Sequence, residues 1–427
     1  MKKIIFPFLV FALVVSSFPV SAQNKENQIV VKQRKNSEEQ MKKPYVVLIS
    51  IDGFRYDYIE KYELEFLKNI GQKGARAESL IPSYPSVTFP NHYSIVTGMY
   101  PAHHGLVGNN MLDQKTGARY SLRNEKEVRN PSWYGGTPLW VLAEQQQMLS
   151  ACYYWPGSEA PIQETLPTYY YAYSEKTPID ERIKEVKNWL DMPQESRPHF
   201  ITFYMPEVDH AGHQYGPDSP EVKDAVHFVD ESLKKLFDIL NSTGLPVNYI
   251  IVSDHGMINI DQDVLLDFPV KVDPEELDIV KNGTYISVFV KRDKNKSDKI
   301  KKWYNQLKEG KNKEYYDVYL HDELPEEFYF GGKNDVYGRV GDIVLLAKAP
   351  HYFTNHKLAG SHGYDPIKVK EMQAIFLAYG PQIAEGRKVK PFQNVEIYPL
   401  IAKILQLDMP KHKIDGSGKI ADEILKR

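Results

Sequence analysis

Cysteine is nearly absent from this chain of 427 residues: Cys152 is the only one. An intramolecular disulfide is therefore excluded, and the fold has to be held by its core, which a chain this long can supply. Cys152 sits in the apolar run "LSACYYW" and reads as a buried structural residue, not a nucleophile. Charge of one sign is not in excess either. The 53 Lys and Arg stand against 56 Asp and Glu, which excludes a broad basic surface for nucleic acid. There is no internal repeat and no low-complexity tract. The longest apolar run, Ile4–Val20, is broken by Pro7 and Pro19, too short and interrupted for a membrane span. Lys2 and Lys3 precede it and Ser21-Ala22 follows, the pattern of a secretory signal peptide over residues 1–22. No cysteine follows the cleavage site and the tail Ala421–Arg427 is polar, so no lipid or C-terminal anchor is expected. The mature chain is expected to be exported, to the periplasm or the medium, and to act as a monomer.

What is present is a series of short apolar runs. A polar stretch, 23–43, reads as a flexible lead-in to a domain over 44–420. The first run is Tyr45–Ser50. Ala151–Trp155, Phe200–Met205, Tyr249–Ser253, Ile343–Ala347 and Ala374–Tyr379 follow. They are continuous rather than alternating, which predicts central strands covered on both faces. Between them, Val222, Val226, Val229, Leu233, Leu236 and Leu240 recur at spacings of three and four, predicting a helix over Glu221–Leu240. Ser219-Pro220 supplies its start. Tyr58–Ile70 and Thr137–Gln147 are weaker helical patterns. The fold class is α/β, one large mixed sheet flanked by helices. Residues 261–339 are more charged, with apolar bursts such as Tyr285–Val290 and a helical pattern at Ser297–Leu307. They read as a smaller α+β lobe.

In open α/β sheets, ligands collect beyond the carboxyl ends of strands. Asp52 follows the first strand, Asp209 and His213 follow the Phe200 strand, and Asp254-His255 follows the Tyr249 strand. His362 lies before the last strand. Each alone is a common turn or cap residue. Together, three Asp and three His without thiolates suit two divalent ions, with zinc favoured by the imidazoles. They divide into Asp209, His213 and His362, and Asp52, Asp254 and His255 with room for one more ligand. Thr88, in "TFPNHYSIVTG", fits that room. It reads in two ways: as a cap at a helix start, or as a nucleophile activated by the cation. A helix N-terminus favours an anion, so the two are compatible.

The segments "SIDGFR" (50–55), "TFPNHYSIVTGMYPAHHG" (88–105), "DHAGHQYGP" (209–217), "SDHGM" (253–257) and "GSHGYD" (360–365) resemble the nucleotide pyrophosphatase/phosphodiesterase family of the alkaline phosphatase superfamily. The resemblance runs from about Tyr45 to Pro381, and its threonine motif is the most specific part. It implies an alkaline-phosphatase-like sheet, two Zn2+ per chain, and Thr88 as both nucleophile and ligand. Asp52, Asp254 and His255 would complete that ion's shell, and Asp209, His213 and His362 would hold the other. Asn109, which local sequence reads as a turn residue, matches an amide that contacts the phosphoryl oxygen. Phe89 and Tyr173 match the aromatic walls of a base site, with Tyr169, Tyr170 and Tyr171 close enough in sequence to compete for the second wall. The chain reads Pro-Glu-Val-Asp-His at 206–210 where many relatives carry Glu-Pro-Asp. It resembles the catalytic domain alone, as in exported bacterial members.

The implied activity is hydrolysis of phosphodiester and pyrophosphate bonds in nucleotides and related small diesters through a phosphorylated Thr88, releasing nucleoside 5′-monophosphates. Two divalent ions balance three carboxylates and a deprotonated threonine, so a diester monoanion enters without a further cation. Arg55, three residues past Asp52, reads as structural. A phosphomonoesterase of the same superfamily, a lipid-headgroup phosphodiesterase and a non-catalytic metal-binding exported protein are the competing readings. Small nucleotides or diesters are the expected partners, with no stable nucleic-acid complex. Among the remaining histidines, His92, His103, His104, His210 and His356 could orient ligands or lie at the surface, and Asp365 is a candidate partner for His362.

Overall fold

The computed structural model of the chain describes residues 27–426, so the segment read as a signal peptide lies outside the described residues. Its centre is a nine-stranded mixed sheet. In spatial order the strands are Ile29–Val30, Tyr169–Tyr171, Ser150–Tyr153, Phe200–Met205, Tyr45–Ile51, Val247–Val252, Phe376–Tyr379, Ala75–Ala77 and Arg387–Val389. The five from Tyr169–Tyr171 to Val247–Val252 run parallel, and Phe376–Tyr379 is antiparallel to its neighbours.

The continuous apolar runs have the physical cause expected of them, because both faces of the sheet are covered. Successive side chains of a strand point to opposite faces. Val46, Leu48, Ile250 and Val252 therefore enter one core, with Tyr93, Ile95 and Val96 of helix Thr88–Thr97 and with helix Ile397–Leu405. Val47, Ile49, Ile51, Tyr249 and Ile251 enter the other, with helices Glu65–Lys73, Ile179–Asp191 and Pro220–Asn241. The last begins as its sequence predicts: Pro220 is its first residue and the Ser219 hydroxyl accepts from Val222 N at 3.2 Å. The pattern at Tyr58–Ile70 is instead two helices, Tyr58–Lys61 and Glu65–Lys73, separated at Glu63, whose φ is +53°.

Two further expectations differ. Ile343–Ala347 is not in the main sheet. It pairs with Tyr285–Val290 and Tyr316–Leu320 in an antiparallel four-stranded sheet completed by Leu277–Lys281. A continuous apolar run signals burial on two faces but not which sheet provides it. Helix Lys296–Lys308 packs Trp303 and Leu307 onto this second sheet. The polar stretch before Tyr45 is held from Gln28 onward, whose amide donates to Glu185 at 2.9 Å, and is not a loose lead-in. Ile29–Val30 adds an edge strand, and buried Asn36 donates to Gln194 O and Arg197 O while accepting from Leu149 N. Polar composition concealed side chains that bond backbone. Cys152 is buried in its strand, and burial pushes its thiol pKa up, as a structural role requires.

The register places the site. Ser50 lies opposite both Tyr204 and Val252 in its two parallel neighbours. Three strands thus end at one level, and the residues after them share one edge.

Leu236 is fully buried in helix Pro220–Asn241, whereas Ser219 acts only at its start. Leu236→Ala is expected to cost about 2–5 kcal/mol and Ser219→Ala about 1 kcal/mol, read from urea midpoints. Equal costs would contradict this division between packing and capping.

Candidate active site

The three strand ends are drawn together at Gly53, which has φ +69° and stands so close to Asp209 that a Cβ would lie 2.9 Å from its Cα. Its N–H donates to Asp254 Oδ1 at 3.2 Å. Asp52, Asp209 and Asp254 are all buried. One oxygen of each, Asp52 Oδ1, Asp209 Oδ1 and Asp254 Oδ2, has no hydrogen-bond partner.

The imidazoles are oriented by the backbone. His255 Nδ1 bonds Gly256 O at 3.0 Å, His213 Nδ1 bonds Gly360 O at 2.9 Å, and His362 Nδ1 bonds Ser86 O at 3.0 Å. A carbonyl only accepts, so each Nδ1 donates its N–H and each Nε2 is turned to the centre, where the neutral ring offers a lone pair. His213 and His362 are brought together because Gly360 packs on Gly212, where a Cβ would meet Gly212 O at 2.4 Å. The inward atoms then converge. His255 Nε2 is 3.0 Å from Asp254 Oδ2, 3.4 Å from Asp52 Oδ1 and 3.3 Å from Thr88 Oγ1. Asp209 Oδ1 is 3.4 Å from His213 Nε2 and 3.6 Å from His362 Nε2, which are 3.2 Å apart.

Burial, then Asp254 and Asp209, push the Asp52 carboxyl well above its ordinary pKa. Burial also opposes ionisation of Asp254, but His255 and His92 outweigh it and hold its pKa well below the usual value. Burial, with His255 and His213 beside it, drives His362 well below the ordinary imidazole value, keeping it neutral. Burial opposes a charge on His255, but Asp254 and then Asp209 outweigh it and raise its pKa. Buried carboxylate oxygens without donors, beside imidazole nitrogens turned toward them, form a donor set that fits divalent cations. Two groups satisfy ligand spacing, Asp52–Asp254–His255 and Asp209–His255–His362. His255 thus lies within reach of both, where the sequence assigned it to one.

Thr88 is the first residue of helix Thr88–Thr97. The capping position belongs to Val87, in extended conformation, and no side chain caps the helix. The Thr88 hydroxyl is therefore not a cap, and it faces the cluster instead. Asn109 accepts the Phe89 N–H at 3.1 Å through Oδ1. Thr88, Phe89, Asn109, Tyr173, Asp52, Asp209, His213 and His362 all line one cavity of about 570 Å³. Tyr169–Tyr171 are buried strand residues, whereas Tyr173 reaches the cavity.

Several expectations for neighbouring residues change. Asp365 does not meet the His362 ring, whose Nδ1 goes to Ser86, and it accepts from Ile367 N instead. His92, fully buried, bonds Thr88 O at 2.9 Å and Ser50 Oγ at 2.8 Å, and stands 3.3 Å from Asp254 Oδ2. His103 and His104 bond Asp415 and Ser94, His356 is exposed, and His210 lines the cavity beside Glu175. Arg55 is turned away and pairs with Asp57 at 2.8 Å. Sequence reasoning missed Tyr204, Trp155 and Glu159, and two cations, Arg123 and Arg129, that line the cavity. Arg129 is paired with Glu159 at 3.0 Å. Tyr204 and Trp155 were hidden inside apolar runs, and the arginines lie in a charged segment with no pattern to distinguish them.

Among the described residues no helix is long and apolar enough to cross a membrane. A model of the family described as type I phosphodiesterase / nucleotide pyrophosphatase matches residues 46–365. The chain is 36% identical over 389 residues to venom phosphodiesterase 2 of Crotalus adamanteus, covering 87% of this chain and 46% of the relative. It is 34% identical over 408 residues to human ectonucleotide pyrophosphatase/phosphodiesterase family member 1, covering 88% and 41%. The chain thus spans under half the length of these curated relatives. Among solved structures, murine ectonucleotide pyrophosphatase/phosphodiesterase 5 is similar with a TM-score of 0.81 at 27% identity, over 89% of this chain and 100% of that one. An inactive threonine-to-alanine variant of the same murine protein, in complex with AMP, gives a TM-score of 0.80 at 26% identity, over 90% and 100%.

A bound cation would satisfy the orphaned carboxylate oxygens and so stabilise the fold. Divalent metal at 100 times its dissociation constant is expected to add about 2.7 kcal/mol, read as a rise in melting temperature over chelator-treated protein. An unchanged melting temperature across a zinc titration would contradict the fit.

Proposed function

Since this chain belongs to the type I phosphodiesterase / nucleotide pyrophosphatase family, we propose that it hydrolyses phosphodiester and pyrophosphate bonds of nucleotides and related small diesters. Nucleoside 5′-monophosphates would be the products. The observation that carries this is that Thr88, Asp52 and Asp209, the two acids each with a donor-less carboxylate oxygen, line one cavity that also contains Phe89 and Tyr173. The murine relative solved with AMP, as an inactive threonine-to-alanine variant, supports both the ligand class and the nucleophile. Two zinc ions are the proposed cofactors, one held by Asp52, Asp254, His255 and Thr88, the other by Asp209, His213 and His362. When bound, they supply Lewis acidity and balance the charge of the carboxylates.

The chain's own residues then divide the work. The helix N-terminus at Thr88 presents its positive end to the phosphoryl group. The Asn109 carbonyl is taken by Phe89 N–H, which leaves its amide N–H groups to bond a phosphoryl oxygen. Thr88 Oγ1 attacks phosphorus as the bond to the leaving oxygen breaks. Water then cleaves the Thr88–phosphorus ester from the side the leaving group vacated, so two inversions give net retention. Phe89 and Tyr173 receive the base by stacking, which favours no particular base. The domain comprises residues 44–420, with 261–339 contributing to the smaller lobe, and acts as an exported monomer.

The test compares catalytic efficiency on the nitrophenyl ester of thymidine 5′-monophosphate with that on nitrophenyl phosphate, in zinc-loaded protein. A strong preference for the nucleotide ester is expected, with Thr88→Ala losing at least about 10³-fold. Asn109→Ala should lose about 10²–10³-fold. Preference for the simple phosphate would make this a monoesterase and draw attention to Arg123 in the cavity wall.

A further inference from the structure

The two carboxylate oxygens of Asp52 have unlike surroundings. Oδ1 is buried, has no hydrogen-bond partner and lies in the cluster 3.4 Å from His255 Nε2. Oδ2 accepts a hydrogen bond from the Tyr204 hydroxyl at 2.5 Å. Asp254 is divided in the same way: Gly53 N–H takes Oδ1, and Oδ2 is left without a partner.

Tyr204 stands in the strand Phe200–Met205, opposite Ser50, and is buried. Its ring is held edge-on to His92 at 5.2 Å and to Tyr173 at 6.0 Å. Packing alone does not call for the hydroxyl. The same strand uses Phe200 and Phe203 where only volume is needed, and both are fully buried. A phenol oxygen in such a place carries a desolvation cost unless it is bonded, and its bond goes to Asp52 Oδ2, leaving Oδ1 as the oxygen without a partner.

We propose that Tyr204 is a positioning residue for the metal centre: its hydroxyl engages Asp52 Oδ2, turns Oδ1 alone toward the cation, and thereby sets the affinity of the site formed by Asp52, Asp254 and His255. This rests on the metal-dependent reading given above. Without the hydroxyl, Oδ2 becomes a second buried oxygen lacking a donor, and the carboxylate is free to rotate about its Cβ–Cγ bond. Loss of such an outer partner costs about 10- to 100-fold in metal affinity. The ion held by Asp209, His213 and His362 has no bond to Tyr204 and should be unaffected.

The experiment is a competition titration of zinc against a chromophoric chelator, with full-length protein. Wild type is expected to bind two ions. Tyr204→Phe should weaken one of them about 10- to 100-fold, leave the other unchanged, and recover turnover of the nucleotide ester as zinc is raised. Tyr204→His, which keeps an N–H donor, should recover part of the affinity. Tyr249→Phe removes the hydroxyl of another buried strand tyrosine, bonded to Asn241 at 3.2 Å and remote from the cluster, and should bind zinc like wild type. Should Tyr204→Phe not fold, Tyr204→His against Tyr204→Met supplies the same contrast between donor and no donor. Equal zinc affinities in Tyr204→Phe and wild type would overturn the proposal while leaving the metal centre standing. A raised KM with unchanged zinc affinity would also overturn it and place the hydroxyl on substrate. A wild type that binds no zinc would remove the metal reading and this inference together.

Discussion

Three carboxylate oxygens buried side by side, each without a hydrogen-bond donor, are the constraint on which the site depends. Left to themselves such groups repel one another, and burial together with Asp254 and Asp209 pushes the Asp52 carboxyl above its ordinary pKa. The fold nevertheless fixes them there. Gly53 brings the turn after one strand against Asp209 and bonds Asp254, so the three acids cannot separate without moving strand ends that are tied in register. An arrangement this unfavourable in isolation acquires a physical reason once positive charge is placed among the oxygens.

The rest of the site follows from that core. Three imidazoles spend Nδ1–H on backbone carbonyls and turn Nε2 inward. Helix Thr88–Thr97 begins at the same edge of the sheet with a hydroxyl that no capping duty claims. Its second residue, Phe89, donates its N–H to Asn109 Oδ1 and lines the cavity together with Tyr173. Thr88 and Phe89 are adjacent residues of one helical turn, so a shift of that turn moves both.

Much of this was legible in the chain itself, for reasons that can be named. The apolar runs marked central strands because both faces of the sheet are covered, and the residues just after them marked the site because parallel strands end together. The sequence allowed Thr88 to be read as a cap, and the backbone puts Val87 in the capping position instead. Other features carried no signal. Ile343–Ala347 looks like its counterparts in the main sheet but belongs to the second one. Tyr204 and Trp155 pass for core residues in a one-dimensional reading, because a hydroxyl or indole N–H at the end of an apolar run does not disclose its partner. Asp365, near His362 in sequence, is not what the His362 Nδ1–H bonds; that place goes to the Ser86 carbonyl, which no side-chain pattern announces.

The central claim is that the uncompensated oxygens exist to hold divalent cations. Anomalous diffraction at the zinc edge, from crystals of the protein grown with zinc, tests it most directly. The account predicts two peaks in each molecule, one among Asp52, Asp254 and His255 beside Thr88, the other among Asp209, His213 and His362. An ordered site with no peak within coordination distance of these side chains would contradict it.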